Sequence, residues 1–240
     1  ANAMAERPNV ILIITDDQRW DTVAYMPEVQ ARLVAQGISF DQAFVTTPLC
    51  CPSRASFLTG KYARNHGVLR NGGPQGGAAT SHANGEAEST IGVWMRQAGY
   101  VTGYFGKYLN GYAAISPLIP PGWDDWQAFA SDVNVNCVLN ANGTHVPYGS
   151  NAADYSTDVL RDRAVEFVQA HAGERFFLVF APFAPHLPAI PAPRHAGSFA
   201  GEPPWRPASF LEPDTSDKPP YVNLVREYYE ALPPAAMEQR

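Results

Sequence analysis

Asp16 and Asp17 stand side by side directly after the apolar run Asn9-Val10-Ile11-Leu12-Ile13-Ile14. Adjacent carboxylates repel unless a cation or hydrogen-bond donors compensate. A hard divalent ion with oxygen ligands compensates well; a surface turn with one aspartate capping a helix accounts for the pair equally well. The second group is Cys50-Cys51-Pro52-Ser53-Arg54, closing on Thr59-Gly60. Cys50 stands just before a short helix, whose N-terminus attracts anions, and Arg54 lies one turn in. That spacing predicts an anion pocket around a reactive side chain. A phosphatase Cys-x5-Arg loop does not fit, because Ser56 and Phe57 occupy the positions where its arginine belongs. Zinc would want further Cys or His at ligand spacing. A strained Cys50-Cys51 disulfide and an inert buried cysteine stay open. Gly106-Lys107 and Pro185-His186 complete the set. An ordinary loop histidine is the plain reading of His186 taken alone.

Four elements must position these groups. Residues 9–14 read as a strand buried on both faces, as in a parallel sheet. Residues 38–45, 100–105 and 175–181 read as further strands. Between them, helices are expected over 27–36, 52–59, 89–97 and 156–172. Pro52 suits the first turn of its helix and Gly60 its stop. Residues 71–88 and 182–220 read as loop, and 110–155 as an elaborated excursion over one edge of the sheet. The alternation predicts an α/β fold with a mainly parallel sheet. Ligands in such folds bind beyond the carboxyl ends of the strands, where Asp16-Asp17, Cys50–Arg54, Lys107 and His186 all fall.

Composition sets the outer bounds. The 240 residues are 45% apolar and 12% aromatic, enough for a sizeable core. Basic residues number 17 against 23 acidic ones, a net charge of −6, which argues against a nucleic-acid binder. No apolar run approaches the ~20 residues of a membrane span. Three cysteines are too few for a disulfide scaffold. Ala1-Asn2-Ala3 before Met4 reads as a scar left by tag removal. The end from Tyr228 to Arg240 reads as an approach to a helix.

Cys50-x-Pro52-Ser53-Arg54 with Thr59-Gly60-Lys61-Tyr62 resembles the signature of the type I, formylglycine-dependent sulfatases. Gly99–Tyr108 resembles their second motif. Cys-Cys-Pro-Ser-Arg-Ala-Ser, Gly-Lys-Tyr-Leu-Asn, Gly-Trp-Asp-Asp-Trp and Tyr155–Leu160 resemble the N-acetylglucosamine-6-sulfatase and heparan endosulfatase branch. The resemblance covers residues 9 to about 190 and implies an alkaline-phosphatase-like fold, a mainly parallel sheet sandwiched by helices. It also implies that Cys50 is oxidised by a formylglycine-generating enzyme to Cα-formylglycine, whose hydrate is the nucleophile of sulfate-ester hydrolysis. Asp16, Asp17 and residue 50 would hold Ca2+, with Mg2+ or Mn2+ as substitutes. Arg54 would steady residue 50, Lys107 would hold the sulfate, and His186 would stand near the leaving oxygen. Asn110 stands where many relatives carry histidine; it can hydrogen-bond an oxyanion but cannot act as a base.

The implied substrate is a small anionic sulfate ester, a 6-O-sulfated amino sugar or related glycan. Lys61, Arg64 and Arg70 are further local cations, and Trp123, Trp126 and Tyr148 offer either sugar stacking or core. A phosphonate monoester or phosphodiester hydrolase of the same superfamily is the alternative, and a non-catalytic fragment a third reading. The family's later Asp-Asn or Asp-Gln metal ligands are not found, and Asp124, Asp125 and Asp132 stand in the wrong context for them. Residues 5–240 are therefore expected to be the N-terminal portion of a catalytic domain. The parent protein would be secreted, periplasmic or lysosomal.

Overall fold

The computed structural model describes residues 7–203 and 206–232. The chain divides into two units, residues 1–193 and 194–240. The expected scar at the start lies outside the described residues, as does the end beyond residue 232.

The first unit is built on six strands: β1 Val10–Ile13, β2 Val101–Gly106, β3 Asp125–Ser131, β4 Val138–Ala141, β5 Thr144–Pro147 and β6 Phe176–Ala181. Their order in the sheet is β1-β6-β2-β3-β4-β5. β1, β6, β2 and β3 run parallel, and β4 and β5 close the sheet as an antiparallel meander. Alternation along the strands assigns the two faces. Tyr104, Phe177 and Val179 join one core with Ala55 and Leu58 of helix α2, Cys50–Thr59. Phe105, Phe176 and Leu178 join the other with Leu160 and Phe167 of helix α6, Ser156–Ala170. Helices thus lie on both faces, as a mainly parallel sheet requires.

Several expectations need correcting. β1 is an edge strand covered on one face only: Val10 and Leu12 pack on the core, while Ile11 and Ile13 on the other face are 51% and 55% exposed. Residues 38–45 form no strand: Ile38, Phe40, Phe44 and Val45 are 66–87% exposed. Their β-propensity has no partner to act on, since such propensity is largely side-chain packing against neighbours. The loop read over 71–88 contains helix α4, Gly77–Ala83, and a short turn at Glu86–Glu88. The excursion at 110–155 holds β3, β4 and β5, so it extends the sheet rather than covering its edge. The helix expected over 27–36 is present as α1, Pro27–Val29, continued by wider turns over Gln30–Val34. α3, Ala63–His66, and α5, Ile91–Gln97, complete this unit.

Trp123 and Trp126 are buried in an aromatic cluster with Tyr104, Tyr108 and Tyr112. They are core residues, not a sugar-facing platform. Trp126 Nε1 donates to the Tyr112 hydroxyl at 2.9 Å, satisfying a buried donor. In the second unit, helix α7, Tyr221–Glu230, carries Arg226, which donates to the Pro213 carbonyl at 2.8 Å. Among the described residues no helix is long and apolar enough to cross a membrane.

Candidate active site

Because β1, β6, β2 and β3 are parallel, their carboxyl ends share one rim. Ile13 pairs with Phe180, and Gly106 with both Ala181 and Ala128. The residues just beyond these pairs are Asp16-Asp17, His186, Lys107 and Asp132. Gly106 permits this closeness: its φ is +119°, and a Cβ there would lie 2.0 Å from the Ala181 carbonyl oxygen.

Helix α2 brings in residue 50. It starts at Cys50 itself, two residues earlier than Pro52, and ends on left-handed Gly60 as expected. No side chain of its own caps its start. Instead Asn71 Oδ1 accepts the Cys51 N–H at 2.9 Å, supplying one orphan donor from a distant loop. The two cysteines separate: Cys51 is wholly buried in the core, and burial pushes its thiol pKa up, whereas Cys50 is half-buried at the rim.

Two knots of side chains result. In the first, Asp16, Arg54 and Lys107 are only 3–4% exposed. Asp16 receives Lys107 Nζ at 2.5 Å and Arg54 Nη2 at 3.3 Å. Arg54 Nη1 at 2.6 Å and the Tyr104 hydroxyl at 2.7 Å both donate to the Lys107 carbonyl, fixing the backbone there. Burial pushes the Tyr104 pKa up to about 12, so that phenol stays a donor. In the second knot, ligand atoms of Asp17, Cys50 and His186 lie within 4.8 Å of one another. His186 Nδ1 donates to the Leu187 carbonyl at 2.6 Å, which leaves Nε2 facing Asp17 Oδ2 at 3.5 Å.

Asn110 joins neither set of bonds. Its carbonyl accepts the Ala78 N–H at 2.8 Å, and its Oδ1 is buried without a hydrogen-bond partner. Lys61 pairs with Glu86 at 2.7 Å and is committed there. Asp132, set aside on the sequence, reaches Lys107 Nζ at 3.7 Å from the end of β3. The signal for it was the alternation of Asp125-Trp126-Gln127-Ala128, which marks a strand whose end must join the rim. Asn134 donates to the Pro188 carbonyl at 2.8 Å, tying Asp132's loop to that of His186.

The family model described as Sulfatase matches residues 8–232. The chain belongs to the sulfatase family. It is 39% identical over 202 residues to an extracellular sulfatase Sulf-1 homolog of Caenorhabditis elegans, covering 81% of this chain and 28% of the relative. It is 36% identical over 207 residues to human N-acetylglucosamine-6-sulfatase, covering 82% of this chain and 38% of that one. The chain therefore spans well under half the length of these relatives. A solved structure in complex with its substrate D-glucosamine-2-N,6-O-disulfate aligns with a TM-score of 0.69 at 22% identity, over 98% of this chain and 52% of the other. The phosphonate monoester hydrolase of Silicibacter pomeroyi aligns at 0.66 and 26%, over 97% and 54%. These likenesses bear out the alkaline-phosphatase-like α/β fold of this sulfatase-family chain.

The donor chemistry bears on a cation. Arg54 and Lys107 supply two positive charges at the rim, against three carboxylates at Asp16, Asp17 and Asp132. This leaves a negative site, which a divalent ion would turn positive. The described residues thus fit a hard cation in charge and in carboxylate supply, though they offer fewer than the six to eight oxygens calcium takes.

Proposed function

We propose that this chain is the N-terminal portion of the catalytic domain of a sulfatase. It hydrolyses sulfate esters, with a 6-O-sulfated amino sugar or related glycan as substrate. The observation that carries the reading is the meeting of Asp17, Cys50 and His186 beside the buried Asp16–Arg54–Lys107 knot.

Asp16 and Asp17 would hold Ca2+, or Mg2+ or Mn2+ in its place, and the ion would supply charge to draw electron density from the ester oxygens. Cys50, converted by a formylglycine-generating enzyme, would supply an oxygen nucleophile in place of sulfur. Lys107 and Arg54 bind and orient the anion. Their shared grip on Asp16 and on the Lys107 backbone fixes them before substrate arrives, so little ordering is left to do on binding. His186 presents Nε2 toward residue 50 and holds or gives a proton at that atom. Asn110, with an unsatisfied buried Oδ1, accepts a hydrogen bond and shapes the wall without moving protons. The parent protein acts outside the cytoplasm or in lysosomes.

Two measurements test this. Peptide mapping of chain matured in the presence of the converting enzyme should find the Cys50 peptide about 18 Da lighter, and the buried Cys51 unchanged. The kcat/KM on an aryl sulfate should exceed that on an aryl phosphodiester. A diester preference of orders of magnitude would instead select the phosphonate-hydrolase alternative, and absence of any turnover by matured chain would favour a non-catalytic fragment.

A further inference from the structure

The geometry points to a second metal chemistry at the same rim: while residue 50 is still a thiol, Asp17, Cys50 and His186 form a zinc site. This goes beyond the sulfatase reading and needs only the unmodified side chain.

Three observations carry it. First, one ligand atom from each residue lies within 4.8 Å of the others, and the donors are a carboxylate, a sulfur and an imidazole nitrogen. That mixture suits zinc and not calcium, which takes oxygen. Three protein ligands with an open fourth position is the ordinary form of an accessible zinc site. Second, His186 is already set as such a ligand. Its Nδ1 donates to the Leu187 carbonyl at 2.6 Å, so the Nε2 lone pair faces the cluster. This outer hydrogen bond is what typically fixes a zinc histidine. Third, the spacing needs only modest closure. Nε2 and Asp17 Oδ2 are 3.5 Å apart, close to the ~3.4 Å edge of a tetrahedron with bonds of about 2.1 Å. Asp17 is exposed and Cys50 half-buried on the first turn of α2, so both side chains can rotate the remaining distance.

Binding exchanges one proton and no electrons. The Cys50 thiol loses its proton to solvent as the sulfur–zinc bond forms, and neutral His186 loses nothing. The consequence is a maturation-dependent preference. The thiol form takes a soft ion that covers the very sulfur to be oxidised; once residue 50 carries oxygen, that preference is lost. Zinc held here would shield Cys50 from alkylation.

The test uses the full chain made without the converting enzyme and stripped of metal. One equivalent of Co2+, as a coloured stand-in for Zn2+, should give a thiolate-to-metal charge-transfer band, with Zn2+ displacing it. The band should vanish in Cys50→Ser, which keeps Cys51 and Cys137. His186→Gln and Asp17→Asn should each weaken Zn2+ affinity by about tenfold or more. Iodoacetamide labelling of Cys50 should slow when Zn2+ is present. A band that persists in Cys50→Ser, or an affinity unmoved by His186→Gln, overturns the proposal. Neither result touches the sulfatase reading, which the mass and turnover measurements decide separately.

Discussion

Replacing Asp16 by Asn removes one charge from the centre of the buried knot while keeping its size. In the wild type, Asp16 meets Lys107 Nζ at 2.5 Å and Arg54 Nη2 at 3.3 Å, all three side chains being 3–4% exposed. After the change, Lys107 keeps only Asp132 at 3.7 Å as an ionic partner among the described residues, and Arg54 keeps the Lys107 carbonyl at 2.6 Å. Breaking a buried pair by removing one member costs about 3–5 kcal/mol, because the remaining charge stays desolvated. For a chain of this size each kcal/mol moves Tm by about 2–4 °C, so a fall of about 6–20 °C is expected. Lys107→Met should be damaging too, but the double variant should cost at least about 1 kcal/mol less than the sum of the singles, since each removes the other's partner. The assay is thermal and urea unfolding of all four proteins with chelator present, so that a bound cation does not mask the pairs. A single variant within 2 °C of wild type, taken as about 1 kcal/mol or less, or a strictly additive cycle, would refute the picture of a tight buried triad.

Gly106→Ala should destabilise by about 3 kcal/mol or more, because it combines left-handed strain with a Cβ pressed against the next strand. The Ala181 oxygen would lie 2.0 Å from that Cβ. Gly173→Ala, where nothing lies within 4 Å, should stay within about 0.5 kcal/mol in the same urea titration. His66 gives a pH signature. Its Nδ1 accepts the Val68 N–H at 3.1 Å, its Nε2 meets Ser56 Oγ at 3.1 Å, and burial lowers its pKa from 6.5. With the folded value below the unfolded one, the unfolded chain takes the proton first. Stability should be full above pH 6.5 and fall as pH drops through that value. Urea midpoints measured from pH 8 down to 5, bounds chosen to bracket the usual histidine range of about 6.5, should fall less steeply for His66→Gln; an unchanged slope would count against the buried neutral imidazole.

The parts legible in the sequence were those with one unbroken signal. β6 is a continuous apolar run, β2 is interrupted only by Thr102 and its glycines, and α6 has a single stripe between its two ends. The Cys50–Gly60 helix was legible because its stop is conformational: only a residue tolerant of φ +66° ends it there. The misses share a cause as well. β3, β4 and β5 lie among Pro, Gly and Asn that read as loop, yet Asn140 is fully buried, donating to the Tyr112 hydroxyl at 2.6 Å and accepting from Gly143 N–H at 2.8 Å. A polar residue with a partner far off in sequence, as Tyr112 is for Asn140, looks like loop until that partner is seen. Losing β3 also lost Asp132, because a residue counts as belonging to the rim only once its strand belongs to the sheet. Residues 38–45 erred in the other direction: their side chains suit a strand, but among the described residues no strand pairs with them.

Asp16 and Asp17 show why residue type alone could not finish the site. They are identical and adjacent, and the sequence treated them as a pair with one role. The backbone separates them: Asp17 adopts φ +57°, a turn that aspartate tolerates better than most residues. Asp16 is buried against two cations, while Asp17 stays exposed beside Cys50 and His186. Asp16 thereby also holds Lys107 and Arg54 in place, and those two cations alone do not outweigh the rim's three carboxylates. With the divalent ion of the proposed function bound, the rim would carry net positive charge and would attract an anionic ester. The fold thus gives two adjacent aspartates different surroundings, and that division follows from positions in space rather than from the motif.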